Sequence, residues 1–125
     1  AMLSELEGKK IIGYTNPSTP RYHNYHPLAE FVCETGERYW FYHRQDCREN
    51  VWLVDTDNDP QLLVGQVVTD AYVTSSRNYS EAEYMSSTWT FYTIATRNVS
   101  VTFRFCGQSN GYYSERVDFC EDGHE

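Results

Sequence analysis

Hydrophobic and polar residues alternate along most of this chain, with a period of two rather than the 3.6 of a helix. Such alternation predicts β-strands with one buried and one exposed face. The clearest case is segment 99–105, in which Val and Phe alternate with Ser, Thr and Arg. A two-residue turn at Arg97-Asn98 predicts a hairpin that places Ile94 opposite Val101. The pattern therefore predicts an all-β protein.

Six further strands are predicted from alternation and from the turn residues between them. They cover 10–15, 28–34, 37–44, 50–54, 61–73 and 112–120. Segments 15–27 and 75–87 are predicted to be surface connections, the second with at most one helical turn. The predicted fold is an antiparallel β-sandwich of about 7–8 strands, formed by residues 1–125 as a single domain. The strand count and acidic balance are similar to those of secreted calycin barrels, so a lipocalin-like closed β-barrel is the alternative.

Four consecutive aromatic residues occupy the centre of the predicted strand 37–44. Alternation places Tyr39 and Phe41 on one face and Trp40 and Tyr42 on the other. Both faces must then be covered by protein, or the outer one must serve as a binding platform. Because the polar tip of tyrosine suits half-buried positions, structural cover is the favoured interpretation.

Four cysteines without a C-x-x-C pair predict disulfides and an oxidising compartment. Tight turns at Thr35-Gly36 and Asn110-Gly111 would separate neighbouring cysteines by more than a disulfide can span. We therefore expect two long-range disulfides. The pairs are Cys33–Cys120 and Cys47–Cys106, although sequence alone leaves the other connectivities open.

The chain carries 18 acidic and 10 basic side chains, a net charge of −8. An acidic surface repels phosphate groups, so binding to nucleic acid or to anionic membranes is not expected. Apolar runs are too short for membrane insertion. Two N-x-S sequons, at Asn78 and Asn98, agree with the cysteines in predicting a secreted, extracellular glycoprotein. We interpret Ala1-Met2 as a cloning remnant.

Catalytic and metal-binding motifs are missing from the sequence. None of G-x-S-x-G, the P-loop, G-x-G-x-x-G or H-E-x-x-H occurs. The stretch DTDNDP from Asp55 begins like an EF-hand calcium loop. However, Pro60 stands where glycine is required and Gln66 where the bidentate glutamate belongs. We predict a protein without catalysis, cofactor or bound metal.

Tyrosine and glutamate occur together in the predicted loops, which indicates a protein-binding surface. Tyrosine offers a large, stiff contact area with a hydrogen-bonding tip, and neighbouring carboxylates suit Lys- and Arg-rich partners. The predicted function is recognition of an extracellular protein with a basic surface, as an inhibitor or a receptor module. The predicted binding residues are Tyr79, Glu81, Glu83, Tyr84, Tyr112, Tyr113 and Glu115.

Two other binding functions also fit the aromatic content. A closed barrel could hold a small-molecule ligand, either an amine or an apolar molecule, in an aromatic cavity. A carbohydrate-binding module could stack sugars on the same aromatic side chains. The residues predicted to line the cavity are Trp40, Trp52, Trp89 and Phe91.

Overall fold

Two four-stranded antiparallel sheets form the fold in the computed structural model, which describes residues 2–16 and 25–121. The first sheet contains, in spatial order, β1 (Ile11–Thr15), β2 (Tyr25–Cys33), β3 (Arg38–Arg44) and β8 (Asp118–Glu121). The second contains, in spatial order, β4 (Asn50–Thr56), β7 (Ser100–Ser109), β6 (Met85–Thr96) and β5 (Val68–Ser80). The only helical elements described are two 3-10 helices, Leu3–Leu6 and Pro60–Leu63. The predicted all-β sandwich architecture is confirmed, and the closed barrel is wrong.

The hairpin of β6 and β7 has the register predicted from its turn. Ile94 lies opposite Val101, as expected for a two-residue turn at 97–98. The backbone N–H of Thr96 donates to the carbonyl of Val99 at 2.7 Å, which closes the hairpin. Since successive pairs alternate between hydrogen-bonded and non-hydrogen-bonded, this contact sets the bonding pattern along the whole hairpin.

The ring of Phe41 lies at the centre of the core between the two sheets. It is fully buried and contacts aromatic rings from both of them. The centroid distances are 5.6 Å to Phe31 and 5.4 Å to Phe119 in the first sheet, and 4.4 Å to Tyr92, 5.5 Å to Phe103 and 5.6 Å to Phe105 in the second. These contacts join the sheets through edge-to-face and stacked ring pairs, which add to the free energy gained by burying the rings.

The aromatic run of β3 alternates between the two faces as predicted. Tyr39 and Phe41 belong to the core, whereas Trp40 and Tyr42 pack on the outer face of the first sheet. Trp40 and Tyr42 are nevertheless only 3% and 7% exposed. Because so little of either ring is accessible, the run serves as structural cover and not as an open binding platform.

The prediction of one long strand over 61–73 is wrong in its first half. Residues Pro60–Leu63 form a 3-10 helix instead, and the Asp59 side chain caps it by accepting a hydrogen bond from the N–H of Gln61 at 2.9 Å. Gly65, with φ of 89°, then turns the chain toward β5. Proline is favoured at the first position of such a turn, so the breaker residues outweigh the apolar alternation.

The connection predicted over 75–87 is also wrong, because these residues form the end of a long hairpin. β5 pairs with β6 from Val68 to Ser80, and the chain reverses at 81–84. Residues 72–79 are all exposed. A strand without a buried face carries no apolar periodicity, which is why alternation does not detect it.

The strand predicted over 112–120 and its hairpin with β7 are wrong as well. Only Asp118–Glu121 is a strand, and it pairs with β3 of the first sheet instead of with β7. Segment 110–117 crosses from one sheet to the other. Glu115 lies under β7 with its Cβ and carbonyl against Gly107, so the segment packs on the inner face of the second sheet instead of extending it.

No disulfide joins the four cysteines, all of which lie in the described part of the chain. The Cys33–Cys120 prediction is wrong because the two side chains lie on opposite faces of the first sheet. Cys33 belongs to the core, whereas Cys120 packs with Trp40 and Tyr42 on the outer face. Burial raises the pKa of the Cys33 thiol to about 11, which keeps it protonated at neutral pH.

The Cys47–Cys106 prediction is wrong for a different reason. The register of β4 and β7 places Trp52 opposite Cys106. Cys47 lies five residues before Trp52 (47 to 52), in the loop that precedes β4, where its side chain contacts Tyr113 instead of Cys106. Burial, followed by the nearby charge of Glu115, raises the pKa of Cys106.

None of the described residues forms a helix that is long and apolar enough to cross a membrane.

Replacing Phe41 with Ala tests its central place in the core. We expect the free energy of unfolding to fall by roughly 3–5 kcal/mol, because the variant loses buried area and leaves a cavity among five rings. Urea unfolding measures this difference. Val54→Ala is the control, since Val54 is exposed on β4, and it should change stability by less than about 0.5 kcal/mol. Equal losses in the two variants would contradict the assignment.

Candidate binding surface

The tip of the β5–β6 hairpin and the segment after β7 meet at one end of the sandwich. The ring of Tyr79 packs directly on Gly111, where an added Cβ would lie 2.9 Å from the ring. Arg77 also ties the two segments together, since its Nε donates to Ser86 Oγ at 2.9 Å and its Nη2 to the carbonyl of Gly111 at 3.2 Å. Residues that are more than thirty positions apart in sequence therefore form one surface.

Four of the predicted tyrosines gather at this end, and we call them the tyrosine surface: Tyr79, Tyr84, Tyr112 and Tyr113. Tyr84 is 72% exposed and Tyr112 is 83% exposed. The rings of Tyr112 and Tyr113 meet edge to face with centroids 5.1 Å apart. The structure thus brings together the aromatic part of the predicted site.

Tyr84 adopts a backbone conformation that tyrosine rarely adopts. Its φ of 52° lies in the left-handed region, and it is the only non-glycine residue with positive φ in the described ranges. The ring lies beside a shallow groove formed with Arg48, Met85 and residues 108–110. The turn therefore presents a large side chain where glycine or asparagine would be favoured.

The two predicted acidic residues of the hairpin turn, Glu81 and Glu83, are exposed beside Tyr84. The N–H of Glu83 donates to Ser80 Oγ at 3.3 Å, which helps to hold the turn. Arg48 and Arg77 lie at the same end of the sandwich. Of the acidic residues predicted for the site, the exposed ones are therefore Glu81 and Glu83, and both lie in the hairpin turn.

Glu115 does not belong to the surface, and its predicted role as an exposed charge is wrong. The residue is only 5% exposed. Its carboxylate accepts hydrogen bonds from the hydroxyls of Thr88 at 2.7 Å, Ser86 at 3.2 Å, and Ser109. A buried carboxylate needs such partners to offset its lost hydration. Glu115 therefore anchors the crossing segment beneath the tyrosine surface.

A polar cleft of about 640 Å³ lies between the crossing segment and the inner face of the hairpin. Its lining combines hydroxyl groups, guanidinium groups and phenol rings. The residues are Ser75, Ser76, Arg77, Thr88, Ser114, Arg116, Tyr112 and Tyr113, together with Gly111 and Glu115. The sequence does not reveal this cleft, because the crossing segment is predicted as a strand of the second sheet.

Glu49 fixes the loop between β3 and β4 at the same end of the molecule. The backbone N–H groups of Asp46 and Cys47 each donate to its carboxylate at 2.8 Å, and Gln45 Nε2 donates at 3.0 Å. Burial alone would raise the pKa of Glu49, but these donors and the His43 ring outweigh it and lower the pKa to about 2. Sequence reasoning missed Glu49, which resembles any other charged loop residue.

His43 is the second buried member of this pair. Its Nε2 lies 2.8 Å from the Glu49 carboxylate and its Nδ1 lies 2.7 Å from the carbonyl of Arg116. The Glu49 carboxylate and the Arg116 carbonyl are both acceptors, so each ring nitrogen of His43 faces one acceptor. The His43 and Glu49 side chains are 3% and 0% exposed. They connect β3 to the crossing segment and support the surface from below.

The adjoining loop brings Cys47 next to the tyrosine surface. Cys47 is exposed, and a hydrogen bond with its side chain is the largest cause that raises the pKa of Tyr113. Cys47 is therefore beside Tyr113 and not beside Cys106.

The aromatic residues predicted to line a cavity lie on two outer faces instead. Trp40 covers the first sheet, whereas Trp52 and Trp89 flank Cys106 on the outer face of the second. Trp89 stacks on Phe91 with centroids 6.2 Å apart. The cavity prediction is thus wrong.

Both sequons lie on exposed residues. Asn78 is on β5 opposite Ser87, and Asn98 is in the turn between β6 and β7. The Asn98 side-chain amide donates to Gln66 Oε1 at 2.9 Å. Glycosylation of either residue stays a prediction.

Comparison with known proteins adds one match. A family model described as "Domain of unknown function (DUF7448)" matches residues 5–119. No curated protein and no solved structure matches the chain.

The low pKa of Glu49 predicts acid sensitivity. Ionised Glu49 stabilises the fold fully above its ordinary pKa of 4.5, and this contribution is lost as pH falls toward 2. At neutral pH it amounts to about 3 kcal/mol, with roughly 2 kcal/mol lost between pH 5 and pH 3. Urea unfolding of the wild type and Glu49→Gln should show a stability difference that shrinks by this amount on acidification. A difference that is constant with pH would contradict the prediction.

Gly107 should be intolerant of any side chain. An added Cβ would lie 2.7 Å from both the Cβ and the carbonyl oxygen of Glu115, so Gly107→Ala should lower the free energy of unfolding by roughly 1–3 kcal/mol. Gly13→Ala is the matched control, because its Cβ would lie 3.7 Å from Val32, an ordinary contact, in another strand. Thermal unfolding of both variants gives the comparison. Equal effects would show that Glu115 moves aside without cost.

Proposed function

The chain belongs to the DUF7448 family, and for this member we propose a non-catalytic function in which the tyrosine surface binds a protein that has a basic face. The observation that carries the proposal is the convergence of exposed tyrosines from two distant segments onto one end of the sandwich. Tyr84, Tyr112 and Tyr79 are 72%, 83% and 50% exposed. Exposed large aromatics in such density are typical of interfaces.

Rigid support below the surface also favours binding. The Arg77 bridges to Gly111 and Ser86, the hydroxyl cluster around Glu115 and the His43–Glu49 pair fix the segments that carry the tyrosines. A surface that is already ordered loses little conformational entropy when a partner binds. The elements beneath the tyrosines thus act as a scaffold for recognition.

The negative charge of the chain supports a partner with a basic face. The chain has a net charge of −8, and Glu81 and Glu83 place two exposed carboxylates beside Tyr84. Cationic side chains of a partner would pair with these carboxylates and pack over the tyrosine rings. The extracellular setting, with sugars at Asn78 and Asn98, remains part of the proposal. An inhibitor and a receptor module use such a surface equally well.

Panning a random-peptide display library against the protein tests the function directly. We expect the enriched peptides to be rich in Lys and Arg, and their affinity to weaken as salt rises from about 50 mM to about 500 mM, because screening removes the attraction to Glu81 and Glu83. Enrichment of acidic or neutral peptides, or affinity independent of salt, would overturn the charge-led part of the proposal.

Tyrosine variants locate the binding surface on the molecule. Tyr84→Ala and Tyr112→Ala should each weaken the enriched peptides about tenfold, as expected for interface anchors. Tyr72→Ala is the matched control, since Tyr72 is an equally large exposed ring on the other face of β5. Isothermal titration calorimetry measures all three. If only Tyr72→Ala weakened peptide binding, the binding site would lie on the outer face of the second sheet instead.

A carbohydrate-binding function is the second candidate, favoured by the outer face of the second sheet. Trp52 and Trp89 are partly exposed there on either side of Cys106, and Arg104 lies over the Trp89 ring at 5.6 Å. Aromatic rings flanked by polar groups suit sugar stacking. A glycan array with no hits would remove this candidate.

A further inference from the structure

β5 forms one edge of the second sheet and has an unusually open outer side. The strand runs over 13 residues, and its neighbour β6 pairs with it on one side only. An edge of this length presents a row of backbone N–H and C=O groups that can pair with another strand.

The hydrogen-bonding pattern of the neighbouring hairpin determines which backbone groups of β5 point outward. Because the N–H of Thr96 bonds to Val99, the even-numbered residues of β6 bond to β7 and the odd-numbered ones face β5. Asp70 lies opposite Ala95, so the even-numbered residues of β5 bond to β6. The outward residues of β5 are then Ala71, Val73, Ser75, Arg77 and Tyr79.

The N-terminal segment covers only the start of this edge. Gly8 N–H donates to the Val68 carbonyl at 2.8 Å, and Val68 N–H donates to the carbonyl of Lys9 at 2.9 Å. Beyond the bulge between Val68 and Asp70, no residue within 2–16 or 25–121 pairs with the outer side of β5. Ala71 is buried and the first 3-10 helix packs against this strand, so the open part of the edge runs from Val73 to Tyr79 in the part of the chain that the structure describes.

The other three sheet edges carry devices that discourage pairing. β1 has five residues and a bulge, β4 has seven residues and a bulge, and β8 has four residues. Short strands and bulges are the usual protection of natural edges. By contrast, β5 is regular from Asp70 onward and contains no proline, glycine or lysine.

We propose that β5 is a homodimerisation edge, which pairs antiparallel with β5 of a second copy of this chain to form one continuous eight-stranded sheet. A two-fold axis perpendicular to the sheet at Ser75 pairs the open outward residues Val73, Ser75 and Arg77 of each copy. Val73 then lies opposite Arg77 of the second copy, and Ser75 opposite the second copy's Ser75. Three N–H groups in each copy give about six hydrogen bonds between copies.

Side-chain chemistry along the strand favours a second copy as the occupant. Asp70 and Arg77 are the only charged residues of β5, and in this register neither meets a like charge. Val73, which is exposed, gains cover from the aliphatic part of Arg77 of the second copy. Arg77 has its guanidinium turned toward Ser86 and Gly111, which keeps the charge away from the edge. Two copies of β5 can therefore pair without placing like charges opposite each other.

Sedimentation velocity over a concentration series tests the proposal on the intact chain. We expect a reversible monomer–dimer equilibrium that strengthens with salt, because each copy carries a net charge of −8 and screening reduces the repulsion. This salt dependence is opposite in sign to that expected for the tyrosine surface, so the two proposals succeed or fail separately.

Two edge variants and one control identify the interface. Ser75→Pro removes an outward N–H at the axis and should raise the dimer dissociation constant at least about tenfold. Val73→Lys should do the same by placing a charge in the pairing edge, and it tests the proposal if the proline variant does not fold. Ile12→Lys is the control, an equivalent change at an exposed residue of β1, and should leave dimerisation unchanged.

Hydrogen exchange gives an independent readout. In the dimer, the amides of Val73, Ser75 and Arg77 should become protected as concentration rises, while their even-numbered neighbours stay as they were. A chain that sediments as a monomer at every concentration overturns the proposal. A dimer that tolerates both edge variants, or protection confined to other strands, overturns it as well.

Discussion

The contact of Phe41 with rings from both sheets is the interaction on which the rest of the fold depends. The two sheets have separate hairpins, and this aromatic cluster joins them through the centre of the core. Phe41 reaches Phe31 and Phe119 within its own sheet and Tyr92 across the interior. The Tyr92 hydroxyl donates to the carbonyl of Val117 at 2.6 Å, so the same cluster also holds the crossing segment.

The interior changes character toward the end that carries the tyrosine surface. Near Phe41 the core is aromatic, whereas around Glu115 and Glu49 it consists of carboxylates surrounded by donors. Buried polar networks of this kind enforce one arrangement, because any other leaves a buried polar group without partners. The segments that carry the tyrosine surface are therefore held in one defined arrangement.

The sequence predicts those parts of the fold that depend on local patterns. The turn at Arg97-Asn98 fixes the β6–β7 register because two residues leave one pairing possible, and the alternation in β3 assigns Tyr39 and Trp40 to opposite faces. Prediction from the sequence fails where the path of the chain depends on contacts between residues that are distant in sequence. Nothing local indicates that the chain after Asn110 leaves β7 for the other sheet, a crossing that depends on Glu115 finding three hydroxyls on two strands.

The candidate site follows the same division. Grouping the tyrosines by loop finds the members of the surface, since aromatic residues in turns are exposed and therefore available for contact with a partner. It misplaces Glu115 and misses Glu49, because an acidic residue looks the same in sequence whether it faces solvent or a ring of donors. The cysteine pairs fail for a related reason. Pairing depends on which face each strand turns inward, and that is settled by the two-sheet arrangement, which spacing does not reveal.

The backbone of Tyr84 has a consequence for anyone who would use this domain as a scaffold. A tyrosine held at a φ of 52° costs the native state on the order of 1 kcal/mol relative to a residue at ease there. Asparagine at this position would relieve that strain and remove a 72% exposed ring in the same step. Such a change would stabilise the fold and at the same time remove a member of the proposed binding surface, so a designed derivative could not improve both at this position.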